Sequence, residues 1–240
     1  MDAALQGGDR LLVLAPGLLC DPELWKGVCA HLARPTLVVD FSMDVSIDEM
    51  ALRLLDCSQR GSDVVGFSMG AMAAIAAAAN APDRFGGLIV VSTHVERDDA
   101  DRLRERTEQL QRSTDPASFE QMVAEDLPTL YFDHLREKSE EAAFVAAMAR
   151  RVGPVVFRRH LKALIERPDI AALAAAVRTP TIVLAGAQDR IAPPRLTRKL
   201  AAQISGARFT ELSCCGHLLP LERPDAIAHA VDALAPGATK

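Results

Sequence analysis

Five short runs in this chain are apolar throughout rather than in alternation: Leu11-Leu12-Val13-Leu14-Ala15, Thr36-Leu37-Val38-Val39, Val64-Val65-Gly66-Phe67, Gly87-Leu88-Ile89-Val90-Val91 and Thr181-Ile182-Val183-Leu184-Ala185. A strand with one wet face alternates. A strand apolar on both faces belongs to a parallel sheet covered by helices on each side. Arg208 to Leu212 is a weaker sixth run. Helical segments lie between the runs: Glu23 to Leu32, Ile47 to Leu55, Met69 to Asn80, Pro194 to Gln203 and Pro224 to Leu234. Pro82 ends the third, because proline cannot continue the hydrogen-bond ladder. Pro224 opens the last, where its missing N–H costs nothing. The pattern predicts an α/β fold: a mostly parallel sheet of about six strands, flanked by helices and built with right-handed crossovers.

The repetition breaks between Glu96 and Val177, which holds no convincing strand. Prolines 116, 128, 154 and 168 divide it into short helices at 97–111, 116–127, 138–151, 154–166 and 169–177. About 80 residues are too many for a simple crossover. Residues 1–95 and 178–240 therefore read as the core, and 96–177 as a helical cap inserted over the sheet's carboxyl edge. A loose surface excursion is the alternative. The apolar spacing of Phe144, Val145, Met148, Val152, Val155, Val156 and Phe157 argues that the segment packs on something.

Composition excludes other classes. Aromatic residues are 4% of the chain and net charge is -5, which fits neither a stacking platform nor a basic face for nucleic acid. Arginines are frequent in the middle third, but acids interleave with them, as in Glu96-Arg97-Asp98-Asp99 and Arg102-Leu103-Arg104-Glu105-Arg106. A solvated helix face explains that run; anion recognition by a few of those arginines is the alternative. The five cysteines match no zinc or redox spacing, so no metal is expected, and their odd number reads as reduced thiols. No signal peptide or membrane span is visible. The expectation is a cytoplasmic monomer or homodimer with no cofactor, no nucleic acid and no membrane partner.

The chemistry begins at Gly66-Phe67-Ser68-Met69-Gly70, a Gly-x-Ser-x-Gly pattern with an apolar run before it and an Ala-rich helix after it. That is the strand–turn–helix of a nucleophile elbow. Positions two before and two after the serine must be small so that strand and helix can approach. The helix N-terminus then aims free N–H groups at a developing oxyanion. A turn serine capping the helix is the other reading.

Serine at neutral pH needs a base, and the base needs an orienting acid. Of the six histidines, only His94 and His217 follow core strands. His217, after the last strand, is the candidate base, with a structural histidine as the alternative. Asp189, in Gly186-Ala187-Gln188-Asp189, is the candidate acid, with a turn or capping role beside Pro193-Pro194 as the alternative. The oxyanion donors expected are the N–H groups of Met69 and Leu18, with Leu19 as second choice for the latter. Leu18, Leu19 and Trp25 are candidates for shaping an apolar acyl pocket, although Trp25 equally suits plain helix–sheet packing. His94, Tyr131 and Phe132 are further pocket candidates. Cys214 and Cys215 read as buried small apolar residues, with a redox switch as the alternative.

Leu14-Ala15-Pro16-Gly17-Leu18-Leu19-Cys20-Asp21, the Ser68 elbow, Leu184-Ala185-Gly186-Ala187-Gln188-Asp189 and Gly216-His217-Leu218 together resemble the α/β-hydrolase fold superfamily across nearly the full length. The small capped serine esterases of that superfamily look closest. The resemblance implies Ser68, Asp189 and His217 as nucleophile, acid and base, in the Ser…Asp…His chain order of that fold. It also implies Leu18 and Met69 as oxyanion donors. Many relatives have His-Gly where this chain has Pro16-Gly17. The usual first antiparallel hairpin is missing or reduced to Ala3–Gln6, which leaves a sheet edge to be covered or kept short. The expected function is hydrolysis of a small or medium carboxylic ester, a small-molecule acyl substrate, through an acyl-enzyme. Acyl transfer or C–C bond hydrolysis by the same groups, and a non-catalytic binding protein on this fold, are the alternatives.

Overall fold

The structure, a computed structural model, describes residues 10–127 and 139–234. Ala3–Gln6 lies outside them. Among the described residues six strands form one sheet in the order β2-β1-β3-β4-β5-β6, every pairing parallel. They are β1 (Leu12–Ala15), β2 (Thr36–Val38), β3 (Ser62–Phe67), β4 (Phe85–Val91), β5 (Thr181–Gly186) and β6 (Arg208–Leu212). The exposed edge at β2 is three residues long. Such shortness blunts the tendency of an open edge to recruit another strand.

The unbroken apolar runs are explained by two cores, one on each face. Val13, Ala15, Val64, Leu88, Val90 and Val183 point into one. Leu12, Leu14, Val65, Phe67, Ile89, Val91, Ile182 and Leu184 point into the other. The first face is covered by α2 (Ile47–Cys57) and α3 (Met69–Asn80), with α7 (Ala171–Ala176) and α8 (Pro194–Gln203) beyond them. The second is covered by α1 (Lys26–Ala30), the short α9 (Leu219–Glu222) and α10 (Pro224–Asp232). The expected helix Glu23 to Leu32 opens instead as a 3-10 turn over Pro22–Trp25, because the Asp21 carboxylate accepts the Glu23 N–H at 3.0 Å.

Between β4 and β5 run α4 (Ala100–Arg112), α5 (Pro116–Gln121) with a widened turn at Met122–Asp126, and α6 (Ser139–Glu166). Asp99 and Asp115 cap α4 and α5 through their carboxylates, so α4 begins three residues later than the spacing predicts. α6 is two helices joined at Gly153, where φ is 77°, and Pro154, as the proline position predicts. Phe119, Val123, Val145, Met148 and Phe157 of this segment join one core, and Ala163, Leu164 and Ile170 the other. The segment therefore packs rather than wanders. Val155, expected to pack, is 59% exposed, because it follows the kink and faces outward.

α3 is buried on every side from Met69 to Ala78. A Cβ on Gly66 would sit 2.5 Å from the Ala71 Cα, and one on Gly70 would strike the carbonyls of Ala15 and Pro16. Both obstacles are backbone and cannot rotate away. Gly66→Ala should therefore lower unfolding free energy by about 2 kcal/mol or more in a denaturant titration. An unchanged midpoint would mean that β3 and α3 separate more freely than this packing allows.

Candidate functional site

Ser68 stands at the carboxyl end of β3 with φ 53° and ψ −115°, a conformation L-residues rarely adopt. Its N–H donates to Val91 O at 2.9 Å, and Thr93 Oγ1 donates to its carbonyl at 3.0 Å. The side chain makes no capping bond to α3. Instead Ser68 Oγ lies 3.1 Å from His217 Nε2, and His217 Nδ1 lies 2.8 Å from Asp189 Oδ2. An ionised carboxylate only accepts, so the proton belongs on Nδ1, and Nε2 is left to accept from the serine hydroxyl. His217 and Asp189 are buried, and the Phe67 ring packs on the imidazole at a centroid distance of 5.1 Å.

Asp189 also accepts the N–H groups of Ile191 and Ala192, each at 2.8 Å, through its other oxygen. The expected turn role and the imidazole contact are thus both present on one carboxylate. Two residues not singled out from the sequence align the histidine loop. Gln188 Oε1 accepts the Cys215 N–H at 2.8 Å, and Glu222 Oε1 accepts the Gly216 N–H at 3.0 Å. A lone Gln or Glu near a loop carries no signal until the fold supplies its partner. Cys215 is buried as expected, but Cys214 is exposed, because it sits on a tight turn at φ 54°.

Leu18 and Met69 line the same cavity as Ser68. Gly17 lets the β1 loop close in: its Cβ would be 2.9 Å from the Phe67 ring and 3.2 Å from Ser68 Cβ. The Gly17 carbonyl accepts from Cys20 N–H at 3.2 Å, and in a trans peptide this turns the Leu18 N–H the opposite way. Leu19 and Trp25 are fully buried in the second core and line no cavity described, so both pack rather than shape a pocket. Tyr131 and Phe132 lie outside the described residues. His94 does line the cavity.

The cavity over Ser68 is narrow, about 50 Å³. A larger one of about 460 Å³, lined by Gly17, Asp40, Arg151 and His160 among others, shares Met69 with it. Arg102, Arg106 and Gln109 of α4 also line the narrow cavity. Arg106 and Asp98 are buried, against the expectation of a solvated face; only the opposite side of α4, with Asp101 and Arg104, is exposed. The spacing of positions 102, 106 and 109 is the signal that could have separated them.

Residues 25–224 match the family described as the alpha/beta hydrolase fold. The chain belongs to that family. This α/β-hydrolase is 23% identical, over 88% of its length and 80% of the relative's, to the pyrrolizixenacetamide deacetylase of Xenorhabdus hominickii. A thermophilic esterase from Thermogutta terrifontis superposes with a TM-score of 0.81 at 25% identity, covering 95% of this chain and 89% of that one. The enol-lactonase from Burkholderia xenovorans LB400 shares the fold, with a TM-score of 0.82 at 21% identity over 94% and 91% of the two chains. Among the described residues no helix is long and apolar enough to cross a membrane.

Two histidines near the cavities are held below their ordinary pKa. For His94 the main cause is burial, followed by the charge of Arg167. For His160 burial again dominates, against the raising effect of its bond to the Phe41 carbonyl. Because the folded values are depressed, the unfolded chain takes up these protons first. Stability is then full above the ordinary imidazole range and lost as pH falls below about 6.5. Denaturation across pH 7 to 5 should show this slope, and a His94→Gln/His160→Gln variant should flatten it; an equal slope in the variant would assign the protons elsewhere.

Proposed function

We propose that this α/β-hydrolase cleaves small or medium carboxylic esters with Ser68 as nucleophile, His217 as base and Asp189 as the acid that orients it. The supporting observation is the hydrogen-bonded line from Ser68 Oγ through His217 to Asp189, at 3.1 and 2.8 Å. His217 Nε2 takes the hydroxyl proton as Oγ attacks the acyl carbonyl. The N–H groups of Met69 and Leu18 hold the oxyanion; neither has a backbone acceptor among the described residues. His217 then hands the proton to the leaving alcohol, and the same imidazole activates water to free the acid. Asp189 holds the ring and stabilises its charged form throughout.

The helices between β4 and β5 act in this reading as a cap. Leu127, Phe157 and Leu164 from that segment stand over Ser68. The space over Ser68, about 50 Å³, is narrow for an ester, which favours a small acyl group there. Met69 lines both cavities, so the larger one is the neighbouring space for part of an ester. The deacetylase relative makes acetyl the first acyl group to try.

Ser68→Ala should fold with unchanged thermal stability, since alanine keeps the Cβ and the same backbone cost. Its kcat on p-nitrophenyl acetate should fall by about 10³-fold or more. An organophosphonate probe should add to wild type at Ser68 and not to the variant, read by mass spectrometry. Full turnover by Ser68→Ala would end this mechanism, and a folded wild type that neither turns over nor labels would favour a binding protein.

A further inference from the structure

Behind the narrow cavity lies a buried ionic cluster that the proposed ester chemistry does not use. Asp98 accepts from Arg106 Nε at 2.6 Å and from Arg167 Nη2 at 3.1 Å. Side-chain exposures are 1% for Asp98, 8% for Arg106 and 1% for Arg167. One carboxylate thus faces two guanidiniums. His94, 3.7 Å from Asp98, adds no charge near neutral pH, since burial and Arg167 both favour its neutral form. Two nearby charges of each sign are paired: Glu96 with Lys199 at 2.9 Å, and Arg102 with Glu105 at 2.9 Å. Within the buried trio of Asp98, Arg106 and Arg167, one positive charge is unmatched.

The two guanidiniums differ in how they are satisfied. Arg167 also donates to the carbonyls of Val95 and Glu96, at 3.4 and 2.7 Å. Arg106 donates only through Nε, and neither of its Nη atoms has a partner among the described residues. Arg106 lines the cavity that contains Ser68 and His217. Arg102 and Gln109, on the same face of α4, extend its donor surface. A largely buried guanidinium whose Nη atoms bond to none of the described residues favours a planar carboxylate, which takes two parallel hydrogen bonds.

We infer that the substrate of this site carries a carboxylate besides the ester, and that Arg106 binds it, assisted by Arg102 and Gln109. This rests on the hydrolase reading for the ester but not for the anion. The carboxylate belongs to the acid half or to the alcohol half of the ester, and two substrate pairs separate these sources. One is p-nitrophenyl hydrogen glutarate beside p-nitrophenyl hexanoate. The other is acetoxybutyrate beside pentyl acetate.

The charged member of one pair should show a kcat/KM about ten-fold or more above its neutral partner, and Arg106→Gln should bring that ratio close to one. In parallel, calorimetry should detect glutarate binding to wild type, weakened about ten-fold or more in Arg106→Gln. Should that variant fail to fold, Arg106→Met, which fills a similar volume and likewise leaves Asp98 paired with Arg167, carries the same comparison. Absence of glutarate binding, binding indifferent to Arg106, or equal turnover within both pairs would overturn the inference. Glutarate binding with no ester cleaved would keep the anion site and reject the hydrolase reading.

Discussion

The close approach of β3 and α3 at Ser68 is the constraint on which the rest of the site depends. Strand and helix touch where Gly66 meets Ala71 and Gly70 meets the Ala15 and Pro16 carbonyls. No side chain fits between them. That contact turns the backbone through φ 53° at Ser68, at a cost of order 1–3 kcal/mol. The cost is offset by bonds from the neighbouring strand: Ser68 N–H to Val91 O, and Thr93 Oγ1 to Ser68 O. Thr197 Oγ1 in turn donates to Thr93 O at 2.9 Å, which ties α8 to the same corner. The contact also draws in the β1 loop, so that Gly17 comes against Phe67 and Ser68.

This is why so much of the fold and the elbow is legible in the sequence. A site that depends on backbone proximity needs glycine and alanine at set offsets, and those residues are visible without a partner. The same holds for the apolar runs, whose lack of alternation records burial on both faces. Ser68, Asp189 and His217 are each separated from their neighbours by a strand end, and strand ends follow from the runs. What the residues alone leave open is what the side chains meet. Ser68 as a helix cap and Ser68 as the partner of His217 are the same letters; only the missing cap bond and the 3.1 Å contact tell them apart.

Trp25 and Arg106 mark where that legibility ends. A large aromatic after the β1 loop suits a pocket or a core equally, and the packing of α1 on the sheet puts it in the core. The arginines of α4 lie among acids in a segment that reads as solvated. Which of them turns inward depends on how α4 rests on α6. Arg104 and Arg106 are two residues apart and nearly opposite on the helix, one exposed and one buried. Composition averages over that difference.

The molecule contains its own control for the buried charge near Ser68. At the amino end of β3, Asp63 is likewise fully buried between two arginines, Arg10 at 3.2 Å and Arg34 at 2.9 Å. The charge count is the same, one carboxylate to two guanidiniums. There, however, both guanidiniums reach carbonyls: Arg34 donates twice to Arg10 O, and Arg10 to Leu234 O at 3.3 Å, while Arg10 Nε has no partner among the described residues. None of the three residues lines a cavity described in the structure. A buried guanidinium bonded to carbonyls is a strut between elements, and removing a partner from it is felt as lost stability. Around Asp98 the strut is Arg167. Arg106 shares its carboxylate but not its carbonyls, and it lines the cavity that contains Ser68. Charge excess alone therefore does not distinguish a structural cluster from a binding one; the distinction lies in whether one of its guanidiniums lines a cavity, as Arg106 does.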